Sequence, residues 1–146
     1  MENSQNKSVY IHIPFCDSIC SYCDFCKFIK NEEWVNNYFV ALEKEIKSKY
    51  KNELLNTIYI GGGTPSCLNI SELNNLFNII KIFNKDETIE FTFECNIENI
   101  TKEKLELLYN NGVNRLSIGV QTFNDKYLNF LNRNHTKEDV INKINL

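Results

Sequence analysis

The sequence predicts an α/β fold: about four βα units of a parallel sheet, the front part of a larger barrel. Three observations predict it. Short runs of β-branched and aromatic residues alternate four times with longer segments of helical periodicity. The helices close near residues 50, 84 and 112, giving units of roughly 30 to 40 residues, as βα units require. Strand-helix alternation of this kind places neighbouring strands in parallel with right-handed crossovers.

The elements follow in order. Val9 to Ile13 reads as the first strand, followed by a cysteine-bearing loop. Trp34, Tyr38, Leu42 and Ile46 recur every fourth residue, with Val35 and Phe39 beside them, and predict one apolar stripe on a helix. Thr57 to Ile60 is a second strand, ended by Gly61, Gly62 and Gly63. Ser71 is the expected cap of a second helix with Leu73, Leu76, Phe77 and Ile80 on its buried face. Ile89 to Cys95 alternates as a strand does. Thr101 opens a third helix, which Asn111-Gly112 closes with a residue free to take positive φ. Val113 to Gln121 is the fourth strand and Asp125 to Leu131 a short helix. Thr136 and Asp139 form a capping box for another. No linker or low-complexity tract interrupts the chain, so residues 1–146 are expected to form one domain. The fourth strand would be left bare at the sheet edge, which is why a larger barrel is expected.

Composition narrows the function. The 146 residues suffice for one core, and 42% hydrophobic content is ordinary for a globular protein. A formal charge of −3, spread along the chain with no basic stripe, argues against nucleic acid. No run is long enough to span a membrane, and MENSQNKSVYIHI lacks the layout of a signal peptide, so a cytoplasmic location is expected. In a reducing compartment the six cysteines read as metal-binding or redox groups rather than disulfides. The abundance of Asn, Ile and Lys is a compositional habit without functional content.

The chemistry collects where parallel α/β folds bind ligands, at the carboxyl ends of the strands. The first strand leads into Cys16-x-x-x-Cys20-x-x-Cys23, the second into Gly61-Gly62-Gly63-Thr64-Pro65. The third ends in Glu94-Cys95-Asn96 and the fourth in Gly119-Val120-Gln121. Three close thiolates suit an iron–sulfur cluster with one iron left open for a chelating small molecule. Phe15, Tyr22 and Phe25 are expected to shield it. A zinc knot with Cys26 as fourth ligand is the alternative. Cys67 and Cys95 read as small buried hydrophobes. The glycine run lets backbone approach a ligand but lacks the Lys of a P-loop. Glu94 can accept hydrogen bonds from a ribose, or be a solvated strand-end charge. Gln121 can donate and accept, suiting ribose or amino-acid groups. Arg133 can pair with a carboxylate, though a single Arg on a helix is by default exposed. His12 and His135 read as packed or solvated, and Tyr10 and Tyr59 as core. No hydrolytic triad is visible.

YIHIPFCDSICSYCDF, YIGGGTPS, FECN, RLSIGVQTFND and LNRNH stand in an order that resembles radical S-adenosylmethionine proteins. More narrowly, the chain is similar to the oxygen-independent coproporphyrinogen III oxidase-like group and its haem-chaperone branch. The resemblance runs from about Tyr10 to His135. It implies a partial radical-SAM (β/α) barrel with a [4Fe-4S] cluster on Cys16, Cys20 and Cys23. The open iron would chelate the methionyl amino and carboxylate groups of S-adenosylmethionine, whose reductive cleavage gives a 5′-deoxyadenosyl radical. By position, Tyr10, Tyr22, Gly62, Gly63, Thr64, Glu94, Gln121 and Arg133 would contact S-adenosylmethionine. A haem or porphyrinogen, an electron donor such as flavodoxin or ferredoxin, and a haem-acceptor protein are the partners implied.

The departures are specific. Where the oxidases carry a further cysteine two residues after the third ligand, this chain has Phe25, which favours the chaperone branch; Cys26 falls one later, where Asn is usual. Ile97 replaces a common Pro and Asn132 a Gly. Family members have further strands and a C-terminal domain, so the chain reads as a truncated member. Haem chaperone, coproporphyrinogen III oxidase, and an inactive or zinc-loaded fragment are the three readings that remain.

Overall fold

The computed structural model describes residues 6–146. Its centre is a four-stranded parallel sheet in the order β1 (Ser8–Ile13), β4 (Leu55–Gly62), β5 (Lys85–Asn96), β6 (Arg115–Gly119). Each successive strand is added beside the last through a helix: α1 (Glu32–Lys49), α2 (Ile70–Ile80) and α3 (Lys102–Asn110). Two short helices, α4 (Asp125–Phe130) and α5 (Lys137–Ile144), follow β6. As expected, β6 is hydrogen-bonded on one side only, to β5. No helix among the described residues is long and apolar enough to cross a membrane.

Alternation along the strands divides the sheet into two chemical faces. Ile11, Ile13, Ile58, Ile60, Phe91 and Phe93 point to the helices and are almost fully buried. They meet Val35, Phe39, Leu42 and Ile46 of α1 and Leu73, Leu76, Phe77 and Ile80 of α2 in one continuous core. The opposite face carries Tyr10, His12, Tyr59, Thr92, Glu94, Arg115 and Ser117, with Tyr10, Tyr59, Thr92 and Arg115 in register across all four strands.

Four local expectations are corrected. Trp34 is 54% exposed, because the buried stripe of α1 runs through Val35, Phe39, Leu42 and Ile46. The second helix is capped by Asn69, whose side chain accepts from the Glu72 N–H while Glu72 reaches back to the Asn69 N–H; Ser71 lies inside the helix. Phe15 packs down into the core, edge-on to Tyr38, instead of shielding the cysteines. The fourth strand stops at Gly119, so Gln121 lies beyond it, with φ of 66°. Asn69→Ala is expected to lower stability by about 0.5–2 kcal/mol, whereas Ser71→Ala stays within about 0.5 kcal/mol. Urea unfolding of the two variants checks both.

A feature without sequence periodicity sets the position of the cysteines. β2 (Phe15–Cys16) and β3 (Phe28–Ile29) form a two-residue parallel ladder. It is extended by bonds from Phe28 N–H to Pro14 O at 2.7 Å and from Lys30 N–H to Cys16 O at 2.9 Å. Residues 17–27 are thereby closed into a loop over the carboxyl end of β1.

Candidate functional site

The carboxyl ends of β4, β5 and β6 and the cysteine loop that follows β1 enclose an open cavity of about 230 Å³. Cys16, Cys20 and Cys23 line it together with Tyr22, Gly62, Gly63, Thr64, Glu94, Gln121 and Arg133. Ten of the eleven residues expected at the site thus share one wall. The eleventh, Tyr10, lies lower on β1 and lines a different, larger hollow of about 500 Å³ against α1. Its phenol is hydrogen-bonded to His12 Nδ1 at 3.0 Å.

Each thiol is positioned differently. Cys16, in β2, is buried, and its Sγ receives the Thr64 hydroxyl at 3.5 Å. Burial pushes its thiol up; the Thr64 bond opposes this, and the neighbouring Cys23 and Cys20 add to it. Cys20 and Cys23 are half-buried, joined by a bond from Cys23 N–H to Cys20 O at 3.3 Å, and the Lys27 ammonium caps the Cys23 carbonyl. Soft, clustered thiols of this kind suit an iron–sulfur cluster, in which each sulfur takes a different iron. Among the described residues no three His, Cys, Asp or Glu side chains converge as ligands of one metal ion. Cys26 is exposed and off the cavity wall, so the four-thiol zinc knot is not assembled. The Cys26 carbonyl is tied to His12 Nε2 at 2.9 Å. Cys67 and Cys95 are buried, and burial raises both thiols to about 12, consistent with packing rather than ligation.

The glycine run is shaped by its neighbours. Gly62 has φ of 119°, and a Cβ there would meet the His12 ring at 2.7 Å. A Cβ on Gly63 would stand 2.7 Å from Phe15 O and 3.0 Å from Cys16 Sγ, so any side chain would press on the thiol. The N–H groups of Gly62, Gly63 and Thr64 are bonded to Glu94 Oε2, Ile13 O and Phe15 O respectively. What the run has left to offer a ligand is carbonyl oxygen, an acceptor for an ammonium.

Glu94 is not a loose strand-end charge. Its Oε1 accepts from the Tyr59 hydroxyl and its Oε2 from Gly62 N–H at 3.1 Å. Burial raises the Tyr59 phenol, and the bond to Glu94 adds to the effect. Arg133 departs furthest from its default. It is 7% exposed, and its guanidinium donates from Nη1 to Cys20 Sγ at 3.3 Å and from Nη2 to Asn96 Oδ1 at 3.0 Å and Gly119 O at 2.8 Å. Asn132 turns the chain into this pose with φ of 58°, a conformation Asn tolerates. Burial raises the Tyr22 phenol against the opposing Arg133 charge.

Sequence reasoning missed the built role of the histidines. His12 joins Tyr10 to the cysteine loop, and His135 is buried with Nε2 on Val120 O at 3.3 Å.

Comparison with known proteins agrees with this arrangement. The family model described as the radical SAM superfamily matches residues 10–146. The haem chaperone HemW of Bacillus subtilis is 45% identical over 139 residues, covering 92% of this chain and 37% of its own length. The oxygen-independent coproporphyrinogen III oxidase of Salmonella typhimurium is 31% identical over 143 residues, covering 94% and 31%. The structure of Escherichia coli coproporphyrinogen III oxidase (HemN), described as a radical SAM enzyme, superposes with a TM-score of 0.86 at 31% identity, covering 94% of this chain and 33% of that one. The chain therefore spans about a third of the length of these relatives, and its parallel sheet follows that of the HemN radical SAM fold. With a family model matching from Tyr10 to the last residue, and three cysteines, a glycine run, Glu94 and Arg133 around one cavity, the chain belongs to the radical SAM superfamily.

Proposed function

We propose that residues 1–146 form the N-terminal part of a radical SAM core that binds a [4Fe-4S] cluster through Cys16, Cys20 and Cys23 and S-adenosylmethionine beside it. The observation that carries the reading is the shared cavity, where three thiols face one carboxylate, one guanidinium and two amides. When bound, the cluster supplies an electron for reductive cleavage of the sulfonium. The chain's own residues bind and orient. The glycine carbonyls suit the methionyl ammonium, and Arg133 its carboxylate. Arg133 offers this carboxylate only its remaining hydrogens, because Nη2 is held by Asn96 and Gly119. Glu94 and Gln121 suit the ribose hydroxyls and amino-acid groups, and Tyr22, on the same cavity wall, offers a ring to pack on the ligand. Tyr10 acts at one remove, through His12, rather than by contact.

Glu94→Gln is expected to weaken S-adenosylmethionine binding about tenfold or more, the scale of one hydrogen bond to a charged group. Calorimetric titration of the reconstituted chain checks it; unchanged affinity would remove Glu94 from the site.

Within the family, we assign the chain to the haem-chaperone branch, which binds haem and transfers it to an acceptor protein in the cytoplasm. Greater identity to HemW than to the oxidase, and Phe25 in place of a further cysteine, support this. Oxidative decarboxylation of coproporphyrinogen III, with flavodoxin or ferredoxin as electron donor, is the second reading, favoured by the superposition on HemN. Haem titration of the protein, followed by anaerobic assay with coproporphyrinogen III, separates them. Haem binding without turnover supports the chaperone, and decarboxylation supports the oxidase.

A further inference from the structure

Two side chains just beyond α4 grip consecutive carbonyls where β6 ends. Arg133 Nη2 donates to Gly119 O at 2.8 Å, and His135 Nε2 to Val120 O at 3.3 Å. The second nitrogen of the His135 ring faces Glu98 Oε2 at 3.5 Å, with the ring side chain only 1% exposed. His135 Nδ1 and Glu98 Oε2 are both sealed from solvent without a hydrogen-bond partner. Buried polar atoms left in this condition are rare and call for a physical reason. An apolar side chain would fill the same space without them.

The reason lies in what the ring holds. Val120 O also accepts the Thr122 N–H at 2.8 Å, closing a three-residue turn around Gln121. Gln121 sits at its centre with φ of 66°. A γ-turn with a left-handed central residue is rare and strained, and a non-glycine residue persists there only where its surroundings over-determine it. Gln121 lines the cavity, and its Nε2 lies 3.2 Å from where a Cβ on Gly119 would be. We infer that Glu98 and His135 are positioning residues: the pair anchors the Val120 carbonyl and so keeps the turn that presents Gln121 to the cavity. This rests on the reading in which Gln121 contacts S-adenosylmethionine. The pair touches no ligand itself, and acts through the backbone.

A double-mutant cycle with a backbone readout tests it. S-adenosylmethionine affinity of the reconstituted chain is measured for Gln121→Ala, His135→Phe and the two combined, and amide exchange at Thr122 is measured without S-adenosylmethionine. Each single change is expected to weaken binding about tenfold, the scale of one oriented hydrogen bond. The double variant is expected to be no weaker than either, because both remove the same contact. Exchange at Thr122 should rise about tenfold in His135→Phe, and His135→Gln, which can still donate to Val120 O, should restore most of the protection. Independent, multiplying losses in the cycle, or unchanged exchange at Thr122, would overturn the assignment. If Gln121→Ala alone leaves affinity unchanged, the S-adenosylmethionine reading of Gln121 fails, and the exchange measurement still decides the anchor. Should His135→Phe not fold, Glu98→Gln takes its place, with faster Thr122 exchange expected and an unchanged rate overturning the idea.

Discussion

Cys20→Ala is expected to abolish iron–sulfur cluster assembly while leaving the fold intact. The two halves of this expectation have separate causes. Cys20 is half-buried in a loop and contributes nothing to the core, so its truncation leaves the sheet and helices unchanged. In the proposed site it is one of three ligands, and two thiolates hold a cluster poorly. Anaerobic reconstitution followed by iron and sulfide analysis should show essentially none bound, against full loading of the parent chain. Circular dichroism should be superimposable. Cys26→Ala is the matched control, since that thiol is exposed and off the cavity wall; it should load normally. Full iron occupancy in Cys20→Ala would sink the ligand assignment.

Phe93→Ala is expected to cause the largest loss of stability in the chain. Phe93 is completely buried on β5, which lies between β4 and β6, and its ring stands 6.3 Å from that of Phe77 on α2. Truncating a buried Phe costs about 3–5 kcal/mol through lost transfer energy and the cavity left behind. Domains of this kind have only about 5–15 kcal/mol in total, so the variant should be marginal at room temperature. Urea unfolding should show the midpoint falling with the slope unchanged. Phe130→Ala, at a ring that is 81% exposed, is expected to stay within about 0.5 kcal/mol.

The order of the elements was legible because each carries its own period over enough residues to be read. What failed was local. The stripe Trp34, Tyr38, Leu42, Ile46 keeps a strict step of four, which on a helix of 3.6 residues per turn drifts about 40° at each step. Val35, Phe39, Leu42 and Ile46 alternate steps of four and three, stay on one line, and are the residues buried. Ser71 suits a cap by residue type, but Asn69 holds the position, because Glu72 three residues on completes its capping box. The β2–β3 ladder could not be read at all, because two residues have no periodicity.

The site was legible wherever its residues sit at strand ends and illegible where long-range contacts decide. Glycine at 61–63 announces crowding, and the structure supplies the crowding atoms. Arg133 reads as a solvated helix cation until Cys20, 113 residues earlier, and Asn96 are seen to enclose it. His135 stands in the LNRNH segment, but its role is illegible there, since its partners Val120 and Glu98 are met only through the fold.

Because the strands stand side by side in the order in which they occur along the chain, each new one is templated by the one before it. Such an order allows the sheet to be extended one strand at a time as a polypeptide emerges from its amino end. The sulfur-bearing loop belongs to the earliest piece, whereas the guanidinium that reaches Cys20 arrives among the last. In that order of synthesis the thiols would be displayed before the residues that close the chamber around them, open to whatever supplies the metal of the proposed cluster.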